Sequence, residues 1–336
     1  GCNCDQEKSK RRQSREAFLS LPEEEAFKYF DIFKKTLSGT IGKNMLNMEF
    51  PLEQEMPGGT QEFLLKLKNS KLQDDMLLEE FYDKVIENYI YEENYYIILI
   101  HAMYDVPGKS SDDLEMYDAS DVVYEYLLCS ICPVSLSKAG LCYNAEDNRI
   151  EDRIRDWIVD MPDKGFLFPA FNDRNTDLHG VLYYTKKSSN LQEELIDQVL
   201  GAKMPMSADT QKETFQALIE DTLGEDGDYE TVRNIHDTLN DLIEEHKEES
   251  EPLTLDKTDM RKIFENSGVS NEQMESFDQV FEENAGEKTS LLAANIAETK
   301  KFHIETPDVV IKVNPERSDL IETRMIDGRQ CLVIPV

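Results

Sequence analysis

The run Tyr95-Tyr96-Ile97-Ile98-Leu99-Ile100-His101-Ala102-Met103-Tyr104 decides the fold class. It is β-branched and aromatic, of strand length, and bounded by Pro107 and Gly108, so it reads as a strand. Residues 122–134 form a second strand-like run after a polar loop over 109–120. Phe166-Leu167-Phe168-Pro169-Ala170-Phe171 and Val181-Leu182-Tyr183-Tyr184 flank the polar segment 172–177 and read as a hairpin with a longer loop. These runs are continuous, not alternating, which implies strands covered at least in part on both faces.

Helical patterns lie on either side. Pro22 followed by Glu23, Glu24 and Glu25 is a helix start, with acids placed to complement the dipole, and Gly39 is the stop. Residues 61–68 and 74–89 are helical, the latter with Leu77, Leu78, Phe81, Val85 and Ile86 on one side. Residues 191–248 return to helical spacing, broken at Pro205 and over 224–227, and an acidic stretch ends at Pro252. Asp256 caps a short helix and a second covers 271–283. The end is β: a strand over 308–314, then residues 321–326 and 329–334 around Asp327-Gly328, a type I′ turn signal. Two strands alone are marginal in water, so the strand at 309–313 is expected to join them, with the helices over 256–283 as their lid. The fold class is α+β, a mostly antiparallel sheet flanked by helices, with a helical C-terminal part closed by a small β hairpin. The expected organisation is a flexible arm over 1–20, a helix-plus-sheet domain over 21–200, a helical connection over 201–252 and a small helical and hairpin domain over 253–336.

The 336 residues carry 36 basic and 69 acidic side chains, a net charge of −33. Such a field repels phosphate backbones and anionic membranes and favours basic partners. DNA contact, if made, would be weak and strongly salt-dependent, because a few cations act against the whole. No apolar run reaches the roughly 18 residues that span a bilayer, so no membrane role is expected. Six cysteines are too sparse for a disulfide scaffold and fit reduced thiols in a cytoplasm.

Candidate chemistry is thin. Cys129-Ser130-Ile131-Cys132-Pro133 is a Cys-x-x-Cys, but it sits in a strand-like run, where a three-residue spacing sends the sulfurs to opposite faces. Zinc would need Cys2 and Cys4 as further ligands, at a spacing tighter than structural sites use. His101 reads as a core histidine on an apolar strand, and no histidine pair has metalloprotease spacing. Asp105 at a strand end, and Asp173 with Arg174 in the hairpin loop, are the only groups placed as an acid-dependent site would place them. P-loop, dinucleotide and nucleophile-elbow motifs do not occur. Two basic islands interrupt the acidity: Lys8, Lys10, Arg11, Arg12 and Arg15 near the start, and Lys312, Arg317, Arg324 and Arg329 near the end.

Phe33-Lys34-Lys35-Thr36-Leu37-Ser38-Gly39-Thr40, residues 126–133 and 165–171, and the stretch from Thr306-Pro307-Asp308 to Ile326-Asp327-Gly328-Arg329 together resemble a bacterial family of unknown function over nearly the whole chain. That likeness implies an intracellular origin and no mechanism. More distantly, the order of elements resembles the bacterial nucleoid-associated protein family: helices, apolar strands around Tyr126-Leu127-Leu128, a hairpin leading into Ile196-Asp197-Gln198-Val199-Leu200-Gly201, two acidic helices and a closing hairpin. This second likeness implies a non-catalytic interaction protein with a protein partner, weak contact with DNA, scope for homo-oligomers and no cofactor, and it assigns no catalytic or metal-binding residue. The competing expectation is an enzyme, hydrolase- or nuclease-like or thiol redox, with its site on the middle sheet at Asp105, Asp173 and Arg174 or at Cys129 and Cys132.

Overall fold

The computed structural model describes residues 1–5, 10–13, 20–109, 115–116, 122–172, 175–224, 227–247, 252–286, 289–297, 302–305, 310–313, 321–327 and 329–334. The chain divides between Pro205 and Met206 into two compact units.

The first unit runs β1 (Cys2–Cys4), β2 (Lys10–Gln13), α1 (Glu23–Thr36), β3 (Met45–Glu49), α2 (Leu52–Glu55), α3 (Thr60–Asn69), α4 (Asp75–Asn88) and β4 (Tyr95–Val106). It continues with β5 (Gly108–Lys109), β6 (Glu115–Met116), β7 (Val122–Leu136), β8 (Leu141–Asn144), β9 (Arg149–Asp152), β10 (Trp157–Val159), β11 (Lys164–Phe168), β12 (Ala170–Asn172), β13 (Asn175–Asp177), β14 (Gly180–Thr185) and α5 (Glu193–Leu195), which runs into a π turn over Ile196–Leu200. The main sheet has the order β2-β1-β4-β7-β11-β14-β3, with every neighbouring pair antiparallel. β10 joins β7 alone. The β4–β7 ladder is its spine, from Tyr95 opposite Pro133 to Val106 opposite Val122. The segment read from its composition as an arm contributes β1 and β2.

The continuous apolar runs are explained by cover on both faces. On one face Ile97, Leu99, Leu127, Ile131, Phe166 and Tyr183 pack under Leu64 and Leu67 of α3, Phe81 and Val85 of α4, and the π turn. On the other, Ile98, Leu128 and Leu167 meet Ile32 and Phe33 of α1. α1 carries Glu23, Glu24 and Glu25 in its first turn and Lys34 and Lys35 in its last, so both ends suit the dipole. Its end docks closely. The Thr36 hydroxyl lies 2.7 Å from that of Ser130. A Cβ at Gly165 would run into Thr36 Cγ2 and the Cys129 carbonyl oxygen, so only glycine fits there. The middle hairpin forms as β11 with β14, extended by β12 with β13.

The second unit holds α6 (Ala208–Leu223), α7 (Tyr229–Glu245), β15 (Thr254–Leu255), α8 (Lys257–Asn266), α9 (Asn271–Met274), α10 (Phe277–Asn284), β16 (Leu291–Leu292) and α11 (Ala293–Ile296). Phe215 and Leu218, Ile235 and Leu239, Met260 and Phe264, and Phe277 and Phe281 form one core, so α6 and α7 share it with α8 and α10. Asp256 caps α8 as expected, reciprocally with Asp259. β17 (Phe302–Glu305), β18 (Val310–Val313), β19 (Glu322–Ile326) and β20 (Arg329–Val333) close the chain. β19 and β20 pair around Asp327, whose φ is +52°. The expected third strand is corrected: β18 pairs with β17, in a ladder separate from that of β19 and β20. The nearer strand captures it, since a shorter loop closes at lower entropic cost. β19 of this hairpin lies against α7.

Candidate functional site

Strand geometry settles the Cys-x-x-Cys. Cys129 lies with Leu127 and Ile131 under α3 and α4, whereas Cys132 lies with Leu128 on the α1 face. Both are free and buried. Burial pushes the Cys129 thiol up and raises that of Cys132 to about 12, so neither is a thiolate near neutrality. The spacing acts as the sequence predicts: one strand carries the two sulfurs to opposite faces, which leaves the alternative thiol-redox reading without a paired site here. Cys2 and Cys4 sit on the same face as Cys129, their sulfurs 3.7 Å apart. The four thiols therefore do not converge.

His101 is a partnered strand residue. Its Nε2 lies 2.7 Å from Glu125 Oε1, and Lys68 Nζ is 3.6 Å from the other carboxylate oxygen. The His101 hydrogen bond holds the Glu125 carboxyl below its usual range. Asp105 is exposed near the end of β4, opposite Val123 in the ladder. Asp173 and Arg174 lie outside the described residues, as do Lys8, Arg15 and Arg317. Lys312, Arg324 and Arg329 are divided between β18, β19 and β20. Among the described residues no three His, Cys, Asp or Glu side chains converge as metal ligands would.

Two features were not apparent from the sequence. The first is Lys164 on β11, whose side chain has no exposed surface. Its Nζ lies 2.7 Å from Asp163 Oδ2, to which the Tyr89 hydroxyl also donates at 3.2 Å. Burial pulls the lysine below its usual range, and Asp163 opposes the shift. Tyr89 follows directly after α4, and the Asp163 N–H donates to the Ile131 carbonyl, so the cluster ties that helix end to the sheet. An open cleft of about 830 Å³ is lined by residues including Tyr91, Lys187, Asn190, Gln192 and Glu193, and Lys164 is not on its wall. Gln192 is engaged structurally, donating to the Ile90 carbonyl at 2.8 Å and accepting from its N–H at 3.0 Å.

The second is a β ribbon. β7 outruns β4: beyond Pro133 it pairs only with β10, Leu136 opposite Trp157. The ladder continues through Ser137 N–H to the Asp156 carbonyl and Arg153 N–H to that of Gly140. It then becomes the β8–β9 hairpin, with Leu141 opposite Asp152 and Tyr143 opposite Ile150. At about 3.3 Å per residue the arm from 134 to the turn at 145–148 is roughly 30 Å long. Alternation puts Leu141, Tyr143, Ile150 and Asp152 on one side of the hairpin, and Cys142, Asn144, Arg149 and Glu151 on the other. The apolar residues of the first side are bare: Leu141 is 75 % exposed, Tyr143 61 % and Ile150 62 %. The polar side is braced by Asn144 Nδ2 donating to Glu151 at 2.9 Å and by an Arg149–Glu151 ion pair at 2.7 Å.

With this geometry in hand, the family is plain. The chain belongs to the family described as a domain of unknown function, DUF4317, which matches residues 1–336. No curated protein matches it. No helix among the described residues is long and apolar enough to cross a membrane.

Proposed function

We propose that the chain is a non-catalytic protein-interaction module and that the ribbon over residues 134–159 is its contact surface. One observation carries this reading: a free-standing hairpin leaves Leu141, Tyr143 and Ile150 exposed beside one another on one side. A two-stranded hairpin is at best marginal in water, and a contiguous exposed apolar patch marks a binding surface. Tyr143 at its centre is a residue type that anchors interfaces. DNA is not part of the proposal. The net charge of −33 opposes phosphate, and the ribbon from Lys138 to Asp160 carries four basic against six acidic side chains.

The test is a photo-crosslinking residue at position 143 in living cells, with position 76 on α4, which is more exposed still, as the control. Discrete adducts at 143 and none at 76 are expected. Equal background labelling at the two positions would overturn the reading.

A further inference from the structure

At the base of the ribbon the sheet has an open edge. The Ser137 N–H donates to the Asp156 carbonyl oxygen, Ile158 lies opposite Ser135, and the Asp160 N–H donates to the Pro133 carbonyl oxygen. Asp156, Ile158 and Asp160 therefore spend their backbone groups on β7, and Trp157 and Val159 turn theirs the other way. β10 lies on the β11 side of β7, since the Val134 N–H on the opposite side goes to the Asn94 carbonyl oxygen. The lane beyond β11 belongs to β14, which ends in a rung from the Lys186 N–H to the Asp163 carbonyl oxygen. Past that rung no described strand pairs with the outer edge of β10. The two sides of this edge differ. Trp157 is 59 % exposed, Val159 41 % and Leu136, opposite Trp157, 37 %, so one side is apolar. Arg155 ends that side, its Nε donating to the Ser137 carbonyl oxygen at 2.7 Å. On the other side the exposed Asp156 and Asp160 flank the exposed Ile158. Asp160 accepts from the Ser135 hydroxyl at 2.7 Å, and neither carboxylate has an ion-pair partner among the described residues.

We infer that this edge takes up, as an added strand, an extended segment of a different protein that alternates apolar and basic side chains; the inference rests on the proposed interaction role. The unspent N–H and C=O groups of Trp157 and Val159 call for a backbone, and an incoming strand supplies one. Alternation on that strand sets apolar side chains beside Trp157 and Val159, and Lys or Arg beside Asp156 and Asp160. A second copy of the chain fits badly. Pairing two β10 strands about a two-fold axis through Ile158 puts Asp156 of each beside Asp160 of the other, so all these carboxylates crowd onto one side. The two chains also repel as wholes, at −33 each. The same field draws a basic segment toward the edge.

Trp157 is the only tryptophan of the chain, so its emission reads the edge directly. The probe is a short peptide of alternating valine and lysine, titrated into the full chain at physiological salt. A saturable blue shift is expected. The same peptide N-methylated at all of its amides keeps its charge but cannot pair, and should bind at least about tenfold more weakly. Val159→Pro removes an N–H that faces the open edge and none that faces β7, and should weaken the plain peptide by at least about threefold. Asp156→Lys with Asp160→Lys should reverse the preference toward a peptide of alternating valine and glutamate. Circular dichroism on each variant checks that the fold is retained. Equal binding of the plain and methylated peptides would reduce the effect to charge attraction and overturn the strand assignment, as would the absence of any shift. A blue shift that grows with protein concentration in the absence of peptide would give the edge to a second copy and overturn the choice of occupant. If the peptide fails while position 143 still forms adducts, the interaction role stands and the edge assignment falls. If both fail, both readings fall.

Discussion

β7 is two structures in one strand. From Leu127 to Ile131 it lies between β4 and β11, and its side chains are buried alternately under α3 and α4 or under α1. Past Pro133 it loses β4, pairs with the short β10 and leads into a ribbon that no helix covers. The backbone hydrogen-bonding pattern is the same in both halves. What differs is the layer above, so the comparison separates what ladder bonds supply from what burial supplies. Ladder bonds give shape, and burial gives most of the stability.

The sharpest way to break the comparison is at its boundary, where Asp163 and Lys164 lie opposite Ile131. Asp163→Ala leaves a buried ammonium without its carboxylate and should cost about 3–5 kcal/mol in urea unfolding. A cost below about 1 kcal/mol would mean that water reaches Lys164 and that the boundary is not sealed. Next in size is Leu127→Ala inside the covered half, expected to cost about 2–5 kcal/mol through the cavity it leaves.

A pH scan sharpens the same contrast. The Cys132 thiol has an ordinary value of 9.0 and is raised to about 12 in the fold. Below pH 9 both folded and unfolded chains keep the proton, and the thiol's contribution is fully present. Above 9 the unfolded chain loses it first, so stability falls as pH rises toward 12, by up to about 1.4 kcal/mol per pH unit for one group. Cys132→Ala should flatten that fall between pH 9 and 12; an unchanged slope would show that burial does not govern this thiol. Smallest is Tyr143→Ser on the ribbon, expected to shift monomer stability by no more than about 0.5 kcal/mol. A large loss would mean that the bare half also contributes to the core.

The covered half was legible in the sequence because double burial leaves a mark. Tyr95-Tyr96-Ile97-Ile98-Leu99-Ile100 has no polar interruption, and that pattern arises only when both faces are dry. The cap at Asp256 and the turn at Asp327 were legible because their chemistry is local. The ribbon was not. Its Tyr143, Ile150 and Ile154 are scattered among Arg149, Glu151, Asp152, Arg153 and Arg155, so no long apolar run marks the hairpin. Lys164 was hidden for a different reason: Asp163-Lys164-Gly165 has the composition of an exposed turn, and only the return of the chain beside Tyr89 buries it. The misplaced partner of β18 belongs with these, since strand pairing is a long-range choice that composition does not encode.

The separation of Cys129 and Cys132 across the sheet makes the molecule its own stopwatch. A thiol reagent added to the native chain reacts with either residue only while the layer above it is lifted. Labelling at 129 therefore clocks the departure of α3 and α4, and labelling at 132 clocks the departure of α1. The α1 layer is a single helix with Phe27 and Phe30 already facing water, so the 132 clock should run faster. Peptide mass spectrometry of a timed alkylation gives both rates from one sample, and equal rates would mean that the two layers open only together, as one cooperative unit.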